Sequence, residues 1–189
     1  MNNLLSYICS LTPFSEEDWE YLKPALTKRT FARNELLLRE GEVCSSLFYI
    51  DAGYCKSYYE IDGNIKNTEL FFENEIATNV TSFGSGLESK YNIIACEPLI
   101  TIVFNKDKLF ELSKQHPKIE NLGRICLRQF AVKQEEFLAI FKLYSPKERL
   151  EYIETHHPHI VQRVSLTQLA SFLGVTRETL SRIRNRRIS

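Results

Sequence analysis

The sequence predicts an α+β protein built from an antiparallel β jelly roll that closes into a barrel, one long helix, and a C-terminal helix-turn-helix. Short alternating apolar runs separated by turn residues occupy residues 28–104, as in antiparallel sheets. A proline-free helical pattern follows over residues 118–144, and capped helical segments occupy 145–189. We therefore expect a barrel domain with a leading helix over 1–117, a long helix and hinge over 118–144, and a helix-turn-helix domain over 145–189.

The bulk composition is that of a globular protein. The 189 residues are 43% hydrophobic and 25% charged, and a chain of this length can bury a core. Met1–Ser10 lacks the basic segment that begins a signal peptide. The longest apolar candidate, residues 93–104, is interrupted by Glu97 and Pro98. We expect no membrane segment and a cytoplasmic location.

Neither the cysteines nor the histidines have the spacing of a metal site. No two of the five cysteines are spaced like zinc or iron–sulfur ligands, so we expect reduced, mostly buried thiols at Cys9, Cys44, Cys55, Cys96 and Cys126. Three histidines crowd around a proline in residues 156–159, which indicates a surface turn. We therefore assign no metal, no cofactor and no catalytic residue.

The N-terminal half contains one capped helix and then strands. Ser15 and Asp18 predict a helix start, and Pro24 can break that helix. Asp62-Gly63 is the clearest hairpin signal in the chain. The predicted strands are Phe31, Glu35–Leu38, Leu47–Ile50, Tyr54–Ile61, Asn67–Phe72 and Ile100–Phe104. A barrel of this size can hold one small ligand.

The long helix is predicted after a shorter one. Asn105 caps a helix over residues 106–115, and the next helix, Lys118 to Tyr144, is apolar on two edges. One edge consists of Leu127, Phe130, Phe137 and Phe141. A rod that is apolar on two sides needs two partners, and we expect the barrel and the same helix of a second subunit, giving a homodimer. The alternative is a helix buried entirely within its own chain.

Capping residues predict the C-terminal helices. Ser145, Pro146 and Glu148 indicate a helix start, and Ser165 with Gln168 forms a second capping box. The buried stripe of the second helix is expected to be Leu166, Leu169, Ala170 and Leu173. Gly174 permits a left-handed turn, after which Thr176 caps a further helix.

The outer face of this last helix suits the edges of DNA bases. Leu180 and Ile183 share one side, and polar residues occupy the opposite side. Residues 161–189 carry six arginines and one acidic residue, a net charge of +5 in a chain whose total is zero. We predict base contacts in the major groove of double-stranded DNA by Arg177, Glu178, Ser181 and Arg182. We predict phosphate contacts by Thr176, Arg184, Arg186 and Arg187.

Residues 176–183, Thr-Arg-Glu-Thr-Leu-Ser-Arg-Ile, resemble the recognition helix of the cyclic-AMP receptor protein/FNR (Crp/Fnr) superfamily of bacterial transcription regulators. The resemblance implies that Arg177, Glu178 and Arg182 read base edges. It also implies a cyclic-nucleotide-binding-like barrel, a homodimer on DNA, and RNA polymerase as a candidate partner.

The expected ligand segment departs from this superfamily. Relatives that bind cyclic nucleotides place a Gly-Glu pair at the ribose and an Arg-Ser pair at the phosphate, whereas residues 72–91 here contain no arginine. The position of the missing arginine is occupied by Glu88 or Gly86, and a carboxylate there would repel the phosphate. We expect no binding of cyclic AMP in the usual way, and either another small-molecule effector or none. Candidate polar residues of a pocket are Glu75, Ser89 and Lys90.

Two other functions compete with DNA binding. The chain can be a regulatory module of the cyclic-nucleotide-binding type that controls a partner protein. A cupin-type enzyme is the second alternative, but its metal needs inward histidines, and no histidine precedes His116. We therefore predict a regulator rather than an enzyme.

Overall fold

The computed structural model describes residues 1–185, which form two compact units. The first contains Met1–Tyr59 and Glu69–Arg128, and the second contains Glu60–Thr68 and the chain from Gln129 onward. None of the helices within residues 1–185 has the length and apolar character needed to cross a membrane.

Two helices open the first unit. The helix α1, Asn2–Leu11, was not predicted, because Met1 supplies no side-chain cap and the signal is only the buried pair Leu4 and Ile8. The helix α2, Glu16–Leu22, begins at the capping box of Ser15 and Asp18, which confirms that prediction. It ends in a 3₁₀ turn, Lys23–Ala25, at the predicted proline.

Eight antiparallel strands follow, and they form two separate sheets. The strands are β1 Leu26–Phe31, β2 Leu36–Leu38, β3 Ser46–Ala52, β4 Cys55–Ile61, β5 Asn64–Phe71, β6 Ile76–Ala77, β7 Asn92–Ala95 and β8 Leu99–Asn105. Their orders are β1-β8-β3-β6 and β2-β7-β4-β5. The jelly-roll-like domain is therefore a β-sandwich and not the closed barrel that we expected, because the short strands β2 and β6 lie at sheet edges. The strands β6 and β7 were missed, since they are short and lack clear alternation.

The two sheets bury a core between them. Its largest members include Phe31, Phe48, Ile50, Phe71 and Leu99. A second cluster joins α1 and α2 to the outer face of the first sheet, and it contains Leu4, Trp19, Tyr49, Ile102 and Ile119. Each fully buried side chain of this size contributes about 1.5–3 kcal/mol relative to exposure, so both clusters stabilise the unit. Trp19, which is 8% exposed, anchors the leading helices in this cluster.

The remaining helices are α3 Val80–Ser85, α4 Lys106–Gln115, α5 Pro117–Leu143, α6 Pro146–His156, α7 Pro158–Arg163, α8 Leu166–Phe172 and α9 Arg177–Asn185. The caps at Asn105 and Ser145 are formed as predicted. The short helix α3 was not expected. The histidine segment lies at the surface, because His156, Pro158 and His159 are exposed, but most of it is helical: α6 ends at His156, α7 begins at Pro158, and the half-buried His157 lies between them.

All five cysteines are free. Cys44, Cys55 and Cys96 are buried, whereas Cys9 is exposed and Cys126 is partly buried. Burial raises the pKa of Cys126 to about 11, so this thiol stays protonated at neutral pH.

Candidate nucleic-acid interface

The helices α8 and α9 are joined by a hydrogen-bonded turn. The Ser165 hydroxyl caps α8 by accepting from the Gln168 N–H. At the other end, the Val175 N–H donates to the Ala170 carbonyl and the Gly174 N–H donates to the Ser171 carbonyl. Gly174 has φ +74°, so the pattern is a Schellman motif, in which glycine avoids the cost of a left-handed backbone. The predicted pair of short helices around a glycine turn is therefore present.

The helix α9 has one buried side and one exposed side. The Thr176 hydroxyl accepts from the Thr179 N–H over 3.2 Å, which caps the helix. Leu180 is fully buried, and it fixes the rotation of the helix. On the opposite side Glu178 and Arg182 are exposed and Ser181 is half-buried, while Arg177 is exposed on a flank of the helix. Hydrogen-bonding groups of the types that match base edges thus lie together on an open helix face.

The structure describes two of the four residues that are predicted to contact phosphates. Arg184 is half-buried, and its Nη2 atom is shielded without a hydrogen-bond partner among the described residues. Thr176 is exposed at the N-terminal end of α9. Arg186 and Arg187 lie outside the described residues, so their role stays a prediction.

The end of α5 packs on the C-terminal helices. The Phe137 ring lies 5.5 Å from the Phe172 ring, and the Phe141 ring lies 6.1 Å from it. Phe137 also stacks on His157. These contacts within one chain compete with the predicted role of Phe137 and Phe141 in a dimer interface. The helical pattern was detected correctly, but it could not tell which neighbour the rings meet.

A different edge of α5 is open. Leu127 is 56% exposed and Leu138 is 53% exposed. With Ala131 and Gln134 they follow steps of four, three and four, the spacing of a coiled-coil seam. Phe130, from the original prediction, is half-buried beside this edge.

A polar cluster joins α5 to α6 and α7. The Glu136 carboxylate accepts from the Tyr152 hydroxyl over 2.7 Å and from His157 Nε2 over 3.2 Å. Burial opposes the charged form of Glu136, but the hydrogen bonds from Tyr152 and His157 outweigh it and lower the pKa of the carboxyl. The same hydrogen bond raises the pKa of Tyr152 to about 12. Sequence reasoning missed this cluster, because its members lie on α5, on α6 and at the junction between α6 and α7.

The segment expected to bind a ligand makes its own hydrogen bonds. The Glu75 carboxylate accepts from the Phe72 N–H over 2.9 Å and closes a turn. The buried Ser89 hydroxyl accepts from Asn79 Nδ2 over 2.9 Å and donates to the Tyr91 carbonyl over 2.6 Å. Lys90 is exposed, and Glu88 pairs with Val43 in an isolated β-bridge.

The loop around α3 is equally self-contained. The Ser82 hydroxyl accepts from the Cys44 N–H over 2.8 Å and donates to the Leu87 carbonyl over 2.5 Å. Asn79 also caps α3. These two residues were not predicted, because their burial and their hydrogen-bond partners are visible only in the folded chain.

Part of the chain matches a known protein family. Residues 28–116 match the cyclic nucleotide-binding domain family. No curated protein matches the chain in sequence. The matched residues cover most of the β-sandwich, which is followed in this chain by the long helix α5 and the C-terminal helices.

Solved structures place this domain in a larger architecture. The c-di-GMP responsive global regulator CLP of Xanthomonas campestris has a TM-score of 0.71 at 16% identity, covering 91% of each chain. A protein of Eubacterium rectale described as a transcriptional regulator of the Crp/Fnr family has a TM-score of 0.71 at 12% identity. The match covers 95% of this chain and 88% of that protein. A protein from Listeria monocytogenes that contains a cyclic nucleotide-binding domain has a TM-score of 0.68 at 18% identity. The match covers 97% of this chain and 89% of that protein. The chain therefore has the fold of these Crp/Fnr regulators, as the resemblance implied.

Proposed function

We propose that this protein is a homodimeric, sequence-specific DNA-binding transcription regulator of the Crp/Fnr type. The observation that carries the proposal is the exposed face of α9. Glu178 and Arg182 lie opposite the side on which Leu180 is buried, and Arg177 is exposed on the adjacent flank. Nothing in the described packing requires these three side chains at that face, whereas recognition of DNA does.

Each residue of the face has a chemical role in the major groove. Arg177 and Arg182 can each donate two hydrogen bonds to guanine O6 and N7, and Glu178 can accept from the N4 amino group of cytosine. The Ser181 hydroxyl can serve either a donor or an acceptor. Thr176 and the arginines Arg184, Arg186 and Arg187 would meet phosphates, which adds affinity without sequence choice and makes binding steeply salt-dependent.

The dimer would form through α5. Its 27 residues span about 40 Å, and a coiled coil along Leu127, Ala131, Gln134 and Leu138 would bury the open apolar edge. Two α9 helices related by a two-fold axis would then enter successive major grooves about 34 Å apart on a pseudo-palindromic site. RNA polymerase is a candidate partner of the bound dimer.

The effector is not cyclic AMP bound in the usual manner. The segment that would hold the cyclic phosphate carries Glu88 and no arginine. Its buried hydroxyls at Ser82 and Ser89 are already hydrogen-bonded. An anionic ligand placed there would meet a carboxylate without a guanidinium to neutralise it. The remaining alternatives are a small-molecule effector of other chemistry and no effector.

The competing function is a regulatory module that controls a partner protein, with α8 and α9 as a docking surface. The net charge of +5 over residues 161–189 favours a polyanion over a neutral protein surface.

Selection of bound duplexes from a random DNA pool by the full chain tests the proposal. We expect a pseudo-palindromic consensus whose affinity falls steeply with salt. Absence of DNA binding at low salt would favour the regulatory module instead. Calorimetry with cyclic AMP tests the second point, and micromolar binding would contradict it.

A further inference from the structure

The tip of the β4–β5 hairpin lies in the same compact unit as the C-terminal helices. This unit contains Glu60–Thr68 together with the chain from Gln129 onward. The turn residues Asp62 and Gly63 have φ +51° and +73°, the backbone signature of a tight type I′ hairpin. The tip therefore reverses the chain within two residues, between the ends of β4 and β5.

Three hydrogen bonds join this tip to α8. The Asn67 N–H donates to the Ser171 hydroxyl over 3.0 Å, and Asn67 Nδ2 donates to the Gln168 carbonyl over 3.1 Å. The Ser171 hydroxyl in turn donates to the Ile65 carbonyl over 3.0 Å. We call these four residues, Ile65, Asn67, Gln168 and Ser171, the hairpin latch.

The latch is centred on a buried side chain. Asn67 is only 6% exposed, so losing either of these two bonds removes a hydrogen bond from a buried polar residue. Ser171 both accepts and donates, which fixes the direction of its hydroxyl. Such a contact specifies one geometry, because each member loses its hydrogen bonds if the hairpin shifts along α8.

The position of α8 determines the position of α9. The two helices pack on each other, and the Schellman turn at Gly174 joins them through hydrogen bonds to Ala170 and Ser171. Ser171 is itself a member of the hairpin latch. A group that fixes α8 therefore also fixes the direction in which the face of α9 points.

We propose that Asn67 and Ser171 are positioning residues for DNA recognition, which act by holding α8, and through it α9, in one orientation. This inference rests on the proposed DNA-binding function. The latch does not cover the recognition face, because Arg177, Glu178 and Arg182 are exposed while it is closed. Breaking the latch should therefore weaken DNA binding, since it uncovers no additional part of the recognition face.

Binding to DNA of varied spacing tests the role of the latch. The variants are Asn67→Ala and Ser171→Ala, and the control is Asn64→Ala, whose amide donates only to the neighbouring Asp62 carbonyl in the same hairpin. We expect both latch variants to lose about threefold to tenfold in affinity for the selected palindrome. They should also tolerate a spacer altered by one base pair better than the wild type, because their recognition helices are less fixed. The control should match the wild type in both respects.

Hydrogen exchange on the full chain separates failure of the latch from failure of the proposed function. Ser171→Ala removes the acceptor of the Asn67 N–H, so exchange at residue 67 and along α8 and α9 should accelerate, with no change in Asn64→Ala. This result is expected whether or not the wild type binds DNA. Unchanged exchange in α9 would overturn the latch, and so would unchanged spacer discrimination in a wild type that binds. A wild type that binds no DNA would remove the proposed function alone.

Discussion

The Arg149 guanidinium donates a hydrogen bond to the backbone carbonyl of Leu173, over 3.2 Å. The same side chain donates to the Tyr144 carbonyl over 2.9 Å and to the Phe141 carbonyl over 2.8 Å. It therefore links α6 to the end of α5 and to the end of α8. Carbonyl groups at helix C-terminal ends lack intrahelical partners and carry partial negative charge, so a cation is favourable at this place.

Replacement of Arg149 should loosen the C-terminal unit. Arg149→Met leaves three carbonyls without their donor, and we expect a loss of about 1.5–3 kcal/mol in unfolding free energy. Arg149→Lys should restore only part of the lost unfolding free energy, since an ammonium group cannot reproduce the planar fork of a guanidinium. Thermal unfolding measures the loss, with Lys147→Met as a control on the same helix, where only an exposed ion pair to Glu151 is removed. Equal stability of the two methionine variants would contradict this role.

Specific contacts and phosphate contacts should respond differently to mutation. Arg182→Ala should cost about 1–3 kcal/mol on the selected site and relax the choice of one base pair. Arg187→Ala should weaken all sequences alike and flatten the salt dependence. Binding titrations combined with selection measure both effects. Equal and unselective losses for the two variants would count against the assignment of the α9 face.

The capped helices could be predicted because their signals are local. Ser15, Ser145 and Ser165 each accept from a backbone N–H three residues later, and no distant part of the chain is needed for that bond. The helix α1 has no such cap, and it owes its place to burial of Leu4 and Ile8, which only the folded unit reveals.

Contacts between distant residues could not be predicted in this way. Asn67 and Ser171 are 104 positions apart, and neither residue type indicates a partner. Similarly, the periodicity of α5 identified Phe137 and Phe141 as apolar positions but left open whether a second subunit or Phe172 covers them. The exposed polar face of α9 was predictable, since one buried leucine fixes the rotation of a short helix.

A charge on the seam of α5 should break the dimer. Leu138→Glu places a carboxylate on the edge that also contains Leu127, where two copies would face each other, and we expect dissociation into monomers. Val132→Glu is the matched control, because Val132 is 60% exposed on the same helix but lies about 120° away from Leu138. Sedimentation measures the oligomeric state. A dimer that survives Leu138→Glu but not Val132→Glu would move the interface to the other edge.

The first unit should lose stability in acid through Asp18. Hydrogen bonds from Lys118 and Ser15 lower the pKa of Asp18 to about 2. A carboxyl whose pKa is lower in the folded state stabilises at pH values above its unfolded pKa of about 3.9, and loses this contribution as the pH falls toward 2. Asp18→Asn should therefore lower stability at pH 7 and flatten its dependence on pH between 4 and 2. Unfolding titrations at several pH values measure the difference. Parallel curves for the variant and the wild type would contradict it.

Gly53 should tolerate no side chain. Its φ is +91°, and a Cβ atom added there would lie 2.6 Å from the Pro98 carbonyl oxygen. Gly63 also has positive φ, at +73°, but a Cβ atom there would meet nothing within 4 Å. Alanine at Gly63 should therefore cost only the left-handed backbone, about 1 kcal/mol, whereas Gly53→Ala adds a backbone clash and should cost about 2–4 kcal/mol. Urea unfolding of the two variants compares these costs. Similar losses would mean that the chain around Pro98 can move aside, so that the left-handed backbone alone explains the glycine at position 53.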